Sequence, residues 1–443
     1  MTKSEIRNPK TENKNHKSVI LIKGGRVIDP LARRDGVFDI LIEQGTIARI
    51  DQRIEPGKGV CVVVDAKGLI VTPGLCDMHV HLREPGREDE ETVESGARAA
   101  AAGGFTAAAC MPNTQPVCDN QGIVRLIKSR QTDLCNVYPV GAVTKSLGDE
   151  ELAEMGDMRL SGAVAFSNDG RPVANANLMR RALDYLRMFE VPVIAHCEDL
   201  SLSADGLMNE GPLATRLGLR GIPNAAEACM AFRDVQLAAL TGGRLHIAHV
   251  SCAETVEIVR QAKKRGIRVT AETCPHYFVL TEEAVIGYRE MARVNPPLRS
   301  KADQAAVIEG LRDGTIDCIA SDHAPHSYEE KEVEFDQAPC GMVGLETSLG
   351  LCWTHLVEKK VLTPSQLVEK MSVNPRKILK LGNWELGIGA VADLTIFDPD
   401  KTWKVDPGKF RSKSHNTPFA GYKLTGQAVM TVVNGMLIRV MEL

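Results

Sequence analysis

The chain has 443 residues, a formal charge of −4, 44% apolar residues and 25% charged ones, the balance of an ordinary globular protein. No apolar run approaches the roughly 20 residues that a spanning helix needs, and the weak negative charge gives no reason to expect nucleic acid or an anionic membrane as partner. Twelve cysteines are scattered without a Cys-x-x-Cys pair, and the N-terminus lacks the apolar core of a signal peptide. Reduced thiols in a cytoplasmic protein are the reading.

Residues 1–17 are polar and rich in lysine and asparagine, a composition too poor in apolar surface to order itself, so a disordered tail is expected there. Over 18–73 come short strand-like runs at 19–22, 39–42, 47–50 and 61–64. Gly24-Gly25, Gly45, Gly57 and Gly59 break them in the manner of hairpins. The same texture returns over 387–443, at 392–397 and 428–433, with Asn434-Gly435 as a turn. Neither end has enough strands to close a core, so one small β-sandwich built from both ends is predicted.

Between them, over 74–386, strand and helix signals alternate. Strands are predicted at 75–81, 105–111, 136–143, 162–168, 191–196, 244–250, 267–273 and 316–322. Helical patterns over 90–102, 178–189, 227–240, 255–264 and 302–311 lie between most of them. Eight such units point to an α/β fold of the (β/α)8 TIM-barrel type, with a doubly wound open sheet as the competing arrangement.

In such barrels the reactive side chains lie at the C-terminal ends of the strands. The first predicted strand ends in His79 and His81, two residues apart and hence on one face. The fourth runs into Asp169, the fifth ends in His196, the sixth in His249 and the eighth in Asp322. Four histidines and two aspartates are too many ligands for one tetrahedral ion with an open position. They fit two ions bridged by a shared carboxylate and a hydroxide, the nucleophile that hydrolysis of an amide-like bond requires. His246 and His323 point away by alternation and suit packing or support; His276 stays undecided, and His16, His355 and His415 are assigned nothing. Cys197 and Cys252 adjoin site residues, with small buried filler preferred over ligation. Arg83, two residues past His81, continues that face, and with Asn113 and His326 nearby it suggests a substrate carboxylate.

The segments 79–86, 111–114, 167–170, 195–199, 295–299 and 320–326 together resemble the class I dihydroorotases, pyrimidine-pathway members of the amidohydrolase superfamily. The resemblance runs from about residue 19 onward, and it implies the same barrel with a sandwich from both ends. It implies zinc, one or two ions, held by His79, His81, Asp169, His196, His249 and Asp322. Many relatives of that superfamily bridge their metals with a carbamylated lysine after the fourth strand. Here Asn168-Asp169-Gly170 stands instead, Asn168 replacing the first Asp of the class I pattern. This argues against a hydantoinase or allantoinase. Cys340 stands where the family usually has Phe before Gly341.

What the resemblance implies for activity is reversible interconversion of N-carbamoyl-L-aspartate and L-dihydroorotate in de novo pyrimidine synthesis. A metal-bound hydroxide would attack the ring amide carbonyl, with Asp322 as proton shuttle. Arg83, Asn113 and His326 would hold the substrate carboxylate, His81 would also face the substrate, and Asn295 with the Cys340-Gly341 backbone would address the ring. Another cyclic amidase, and a non-catalytic subunit of aspartate transcarbamoylase, are the alternatives; retention of all the ligands weighs against the second. The sequence is compatible with a homodimer, and with an active enzyme that also binds aspartate transcarbamoylase.

Overall fold

The structure, a computed structural model, describes residues 19–440 apart from Lys58, Cys61, Asn383 and Trp384. The polar tail at 1–17 lies outside the described residues.

Eight parallel strands form the barrel: β1 (Leu75–Val80), β2 (Phe105–Cys110), β3 (Asn136–Ala142), β4 (Ala165–Ser167), β5 (Val193–Ala195), β6 (Leu245–Ile247), β7 (Val269–Thr273) and β8 (Cys318–Ile319), paired in chain order. The ring is closed between its first and last strands: the His81 amide donates to the His323 carbonyl at 2.8 Å, and both Asp77 carboxylate oxygens accept from the Ser321 amide at 3.1 Å. This is the (β/α)8 architecture, not an open sheet.

Several strands are shorter than predicted. Pairing stops at Ala195, Ile247 and Ile319, just ahead of His196, His249 and Asp322. The backbone turns out of the ladder there, and His249 and Asp322 adopt left-handed φ values of 33° and 48°. That conformation is uncommon outside glycine and concentrates where function over-determines it. Arg83 does the same at φ 59°, so a turn, not strand alternation, sets its direction.

The predicted helices are present with small shifts. One spans Val93–Ala102, capped by Thr92, whose side chain accepts from the Ser95 amide while Ser95 answers to the Thr92 amide. Its buried face is nearly all alanine and glycine. A Cβ at Gly96 would come within 2.4 Å of the Leu82 side chain, so the loop after β1 packs directly on the helix backbone.

Strands from both chain ends join one further eight-stranded sheet. Its junction is Ile70–Pro73, parallel to Ile20–Asp29 on one side and antiparallel to Leu394–Lys404 on the other. Ile22, Ile40, Val71, Leu394, Ile396 and Val432 bury a core separate from the barrel's. Asn434-Gly435 forms the predicted turn, both residues left-handed, between Lys423–Val433 and Met436–Arg439. Gly24-Gly25, however, does not end a strand. It forms a bulge inside Ile20–Asp29, with the Gly24 amide bonded to Asp39 at 2.7 Å. A Cβ at Gly25 would approach the Val71 side chain to 2.7 Å, so the glycine serves close packing across the sheet. The two bodies are tied at the barrel's N-terminal end, where the Leu75 amide donates to Thr395 Oγ1 at 2.9 Å.

Candidate functional site

The C-terminal rim of the barrel gathers the six predicted ligands. His79 and His81 leave β1 with their Nε2 atoms 3.3 and 3.4 Å from Asp169 Oδ2. His196 Nδ1 and His249 Nε2 lie 3.6 and 3.4 Å from the other oxygen, Asp169 Oδ1. Asp322 Oδ1 is 3.6 Å from His79 Nε2 and 3.2 Å from His81 Nε2. All six residues are buried. One carboxylate thus divides its oxygens between two histidine pairs.

Atoms that share a tetrahedral ion at bonds of about 2.0–2.2 Å lie roughly 3.3–3.6 Å apart. Most of these contacts have that spacing. His79 Nε2 and Asp169 Oδ1 are buried with no hydrogen-bond partner, a costly state for polar atoms unless a ligand completes them. His79, His81 and Asp322 form one group able to hold an ion, and His79, Asp169 and His249 another. The donor set therefore fits divalent metal.

The electrostatics agree. Burial would raise the Asp169 and Asp322 carboxyls, but His79 together with His196 and His249 for the first, and with His81 for the second, holds both well below the usual range. Burial works against the His196 cation too, yet Asp169 and Glu198 outweigh it and lift its pKa to about 10. The histidine cations supply the positive charge that keeps these buried carboxylates ionised, a charge that a bound dication would supply in their place.

Supporting residues escaped the sequence reading. Glu272, fully buried at the end of β7, holds His79 Nδ1 at 2.6 Å and lies 3.4 Å from His246 Nε2. Burial would raise it, but His79 and His246 depress its pKa to about 2. A metal-binding imidazole whose other nitrogen meets a carboxylate has its tautomer and ring orientation fixed. Glu198 does the same for His196 Nε2 at 3.1 Å and accepts from Asn295 Nδ2 at the same distance. His246 and His323 support, as alternation suggests: His246 Nδ1 meets Thr270 Oγ1 at 2.8 Å, and His323 Nε2 meets Glu91 at 3.2 Å.

Asn168 faces away from Asp169. Its oxygen accepts from the Val143 and Thr144 amides at 3.0 and 3.2 Å, and its amide donates to Thr144 Oγ1 at 2.5 Å. The departure from the Asp-Asp-Gly pattern thus falls on loop structure. His276, undecided from sequence, is buried with Nε2 unpartnered, and groups with Cys274 and Asp322. Burial lowers its pKa to about 4. Cys197 and Cys252 are buried with local partners, the Ala195 carbonyl and Thr255 Oγ1, and belong to none of these ligand groups.

Beside the cluster lies a polar corner. Asn113 Oδ1 meets His81 Nδ1 at 2.9 Å. Arg83 Nε donates to the Pro325 carbonyl at 3.1 Å, while its Nη2 reaches within 3.4 Å of His326 Nε2. His326 Nε2 also lies 2.9 Å from the Cys340 carbonyl. Gly341 is placed differently from the expectation that its backbone meets a ring. Its amide donates to the Arg293 carbonyl at 2.9 Å, and its carbonyl accepts from Asn416 and Lys331 at 3.1 and 3.2 Å. These polar groups are spent inside the protein. What Gly341 contributes is space: at φ 135°, a Cβ would stand 2.7 Å from Ala324 Cβ and 3.1 Å from His326 Nε2.

A family model described as dihydro-orotase-like matches residues 68–255. Curated relatives named dihydroorotase from Pelotomaculum thermopropionicum and Acetivibrio thermocellus are 56% and 53% identical, over 95% of this chain and 98% of theirs. The chain belongs to the dihydroorotase family. Among solved structures, an L-hydantoinase (dihydropyrimidinase) from Arthrobacter aurescens matches with a TM-score of 0.84 at 28% identity, covering 95% of this chain and 96% of its own. A D-hydantoinase (dihydropyrimidinase) from Thermus sp. matches at 0.80 and 26%, covering 94% of each chain. The hydantoinases share the dihydroorotase architecture at about half the sequence identity of the curated relatives.

Proposed function

We infer that the chain is a metal-dependent dihydroorotase, interconverting N-carbamoyl-L-aspartate and L-dihydroorotate in de novo pyrimidine synthesis. The observation that carries the metal chemistry is the Asp169 carboxylate shared between two histidine pairs. Two divalent ions, zinc by the mixed nitrogen and oxygen donors, would be held by His79, His81, Asp169, His196, His249 and Asp322. When bound, such ions acidify a water to near pKa 7 and polarise the substrate carbonyl.

The chain's own groups do the rest. Asp322 is the proton shuttle: Oδ1 faces His79 and His81, so Oδ2 takes the proton and delivers it to the departing ring nitrogen. In the cyclising direction the same atom returns it. Arg83, Asn113 and His326 grip the substrate carboxylate from the polar corner, and His81 faces the substrate between corner and metals. Asn295, held by Glu198, and the Cys340 backbone address the ring, with Gly341 keeping that wall thin. The catalytic unit is the barrel at 74–386, and 18–73 with 387–443 forms the supporting β-domain. Eleven described cysteines are free and nine of them buried, in keeping with a cytoplasmic enzyme.

A panel of dihydroorotate, hydantoin and allantoin, run beside metal analysis of the purified protein, tests this reading. Dihydroorotate should be the preferred substrate, with about two zinc ions per chain for activity through a bridged pair. Preference for hydantoin would transfer the chain to the other activity.

A further inference from the structure

Glu90 takes no part in the chemistry above, yet it is fully buried behind the polar corner. Its Oε1 meets His326 Nδ1 at 2.7 Å and Arg87 Nη2 at 3.0 Å, and its Oε2 lies 3.1 Å from Arg83 Nε. Arg87 in turn pairs with Glu330, and Glu330 lies 3.4 Å from His326 Nδ1. The Glu90 backbone is fastened as well: its amide donates to the Arg87 carbonyl at 3.0 Å and its carbonyl accepts from Ser414 Oγ at 2.7 Å.

We propose that Glu90 is the positioning residue of the substrate-carboxylate clamp, holding Arg83 and His326 at a fixed mutual geometry from the side away from the substrate. The proposal rests on the dihydroorotase reading and deepens it. Arg83 carries five donors in a rigid fork, and a fork is useful only when one edge is anchored and the other left for its ligand. Here the Arg83 Nε–H is given to the Pro325 carbonyl, Glu90 Oε2 lies beside it as an ion-pair partner and not as a hydrogen-bond acceptor, and Nη2 lies toward His326. The same carboxylate fixes the His326 ring through Nδ1. The two groups that must meet one small carboxylate are thereby spaced by a second carboxylate, that of Glu90, which contacts both. Arg83 needs this support more than a strand residue would, because it stands on a left-handed turn past the end of β1. A buried anion beside two arginines also offsets their mutual repulsion, and with Glu330 it balances the two guanidinium charges.

The test is steady-state kinetics of metal-loaded Glu90→Gln and Glu90→Asp enzymes. Glutamine keeps the shape and loses the charge; aspartate keeps the charge and loses the reach to both partners at once. Each should raise KM for dihydroorotate, by about tenfold for glutamine, with kcat within about threefold, the signature of lost binding with intact chemistry. Inhibition by a ring analogue that bears the carboxylate should weaken in parallel, and inhibition by the same ring without it should not. In an Arg83→Ala background, Glu90→Gln should add much less than its effect alone, since the group it positions is gone. Unchanged KM in both variants, a fall in kcat alone, or full multiplicative addition to Arg83→Ala would overturn the assignment. The underlying reading fails separately: an Arg83→Ala enzyme with native KM removes the clamp itself, whatever Glu90 does.

Discussion

In the terminal sheet the buried positions are Ile22, Ile40, Val71, Leu394, Ile396 and Val432; at the barrel mouth they are His79, Asp169, His196, His249, Glu272 and Asp322. Both regions are dry, but the sheet runs through strands of up to 11 residues, whereas no barrel strand exceeds seven. The sheet gains stability with every methylene it hides. The mouth hides ionisable groups, bends two of its ligands into left-handed backbone, and leaves polar atoms unpartnered. The barrel can carry such a rim because its strands, its helices and the seam with the sheet are packed independently of it. Stability and chemistry are thus assigned to different ends of the same fold, as is general for this architecture.

This contrast can be broken at either end. The largest effect is expected from Asp322→Asn, which should lower kcat by about 10²–10⁴-fold. Metal content measured by elemental analysis should stay mostly intact; near-native turnover would end the shuttle assignment. Next comes Ile396→Ala in the sheet core, expected to cost about 2–5 kcal/mol in urea unfolding. Its KM should be unchanged, and a marked rise would mean that sheet and mouth are coupled. Glu272→Gln lies between the two regimes, with no contact to substrate but a direct bond to His79. It should weaken metal affinity by about 10–100-fold in a chelator competition, and an unaltered affinity would reduce Glu272 to packing. The mildest change, Ile396→Val, should cost about 0.5–1.5 kcal/mol and leave metal affinity untouched.

The barrel was legible because buried parallel strands read as short apolar runs, and because the ligands follow those runs directly in sequence. His196 comes one residue after β5, and Asp169 two residues after β4. What stayed hidden obeys no such order. Glu272 lies inside a strand, where an acid has no pattern to mark it. Glu90 falls within a stretch read as helix, although the helix begins at Val93, so a buried carboxylate passed for an acid of a first turn. Gly24-Gly25 resembled a hairpin because a bulge and a turn ask for the same residue type, and only the neighbouring strand distinguishes them. The spending of Gly341's backbone groups on Arg293, Lys331 and Asn416 is a matter of tertiary contact, which no local signal carries.

The closure of the ring between its first and last strands has a consequence for synthesis of the chain. His81 and Asp322 face one another across that seam although 241 residues separate them in sequence. At about 5–20 residues per second on the ribosome, roughly ten to fifty seconds pass between the emergence of His81 and the arrival of Asp322. For all that time the group of His79, His81 and Asp322 lacks its carboxylate, although His79, Asp169 and His249 are all present once residue 249 has emerged. The ring can close only once its final strand has docked, and a truncated product ending before Asp322 would lack the residue that faces His81 across the seam.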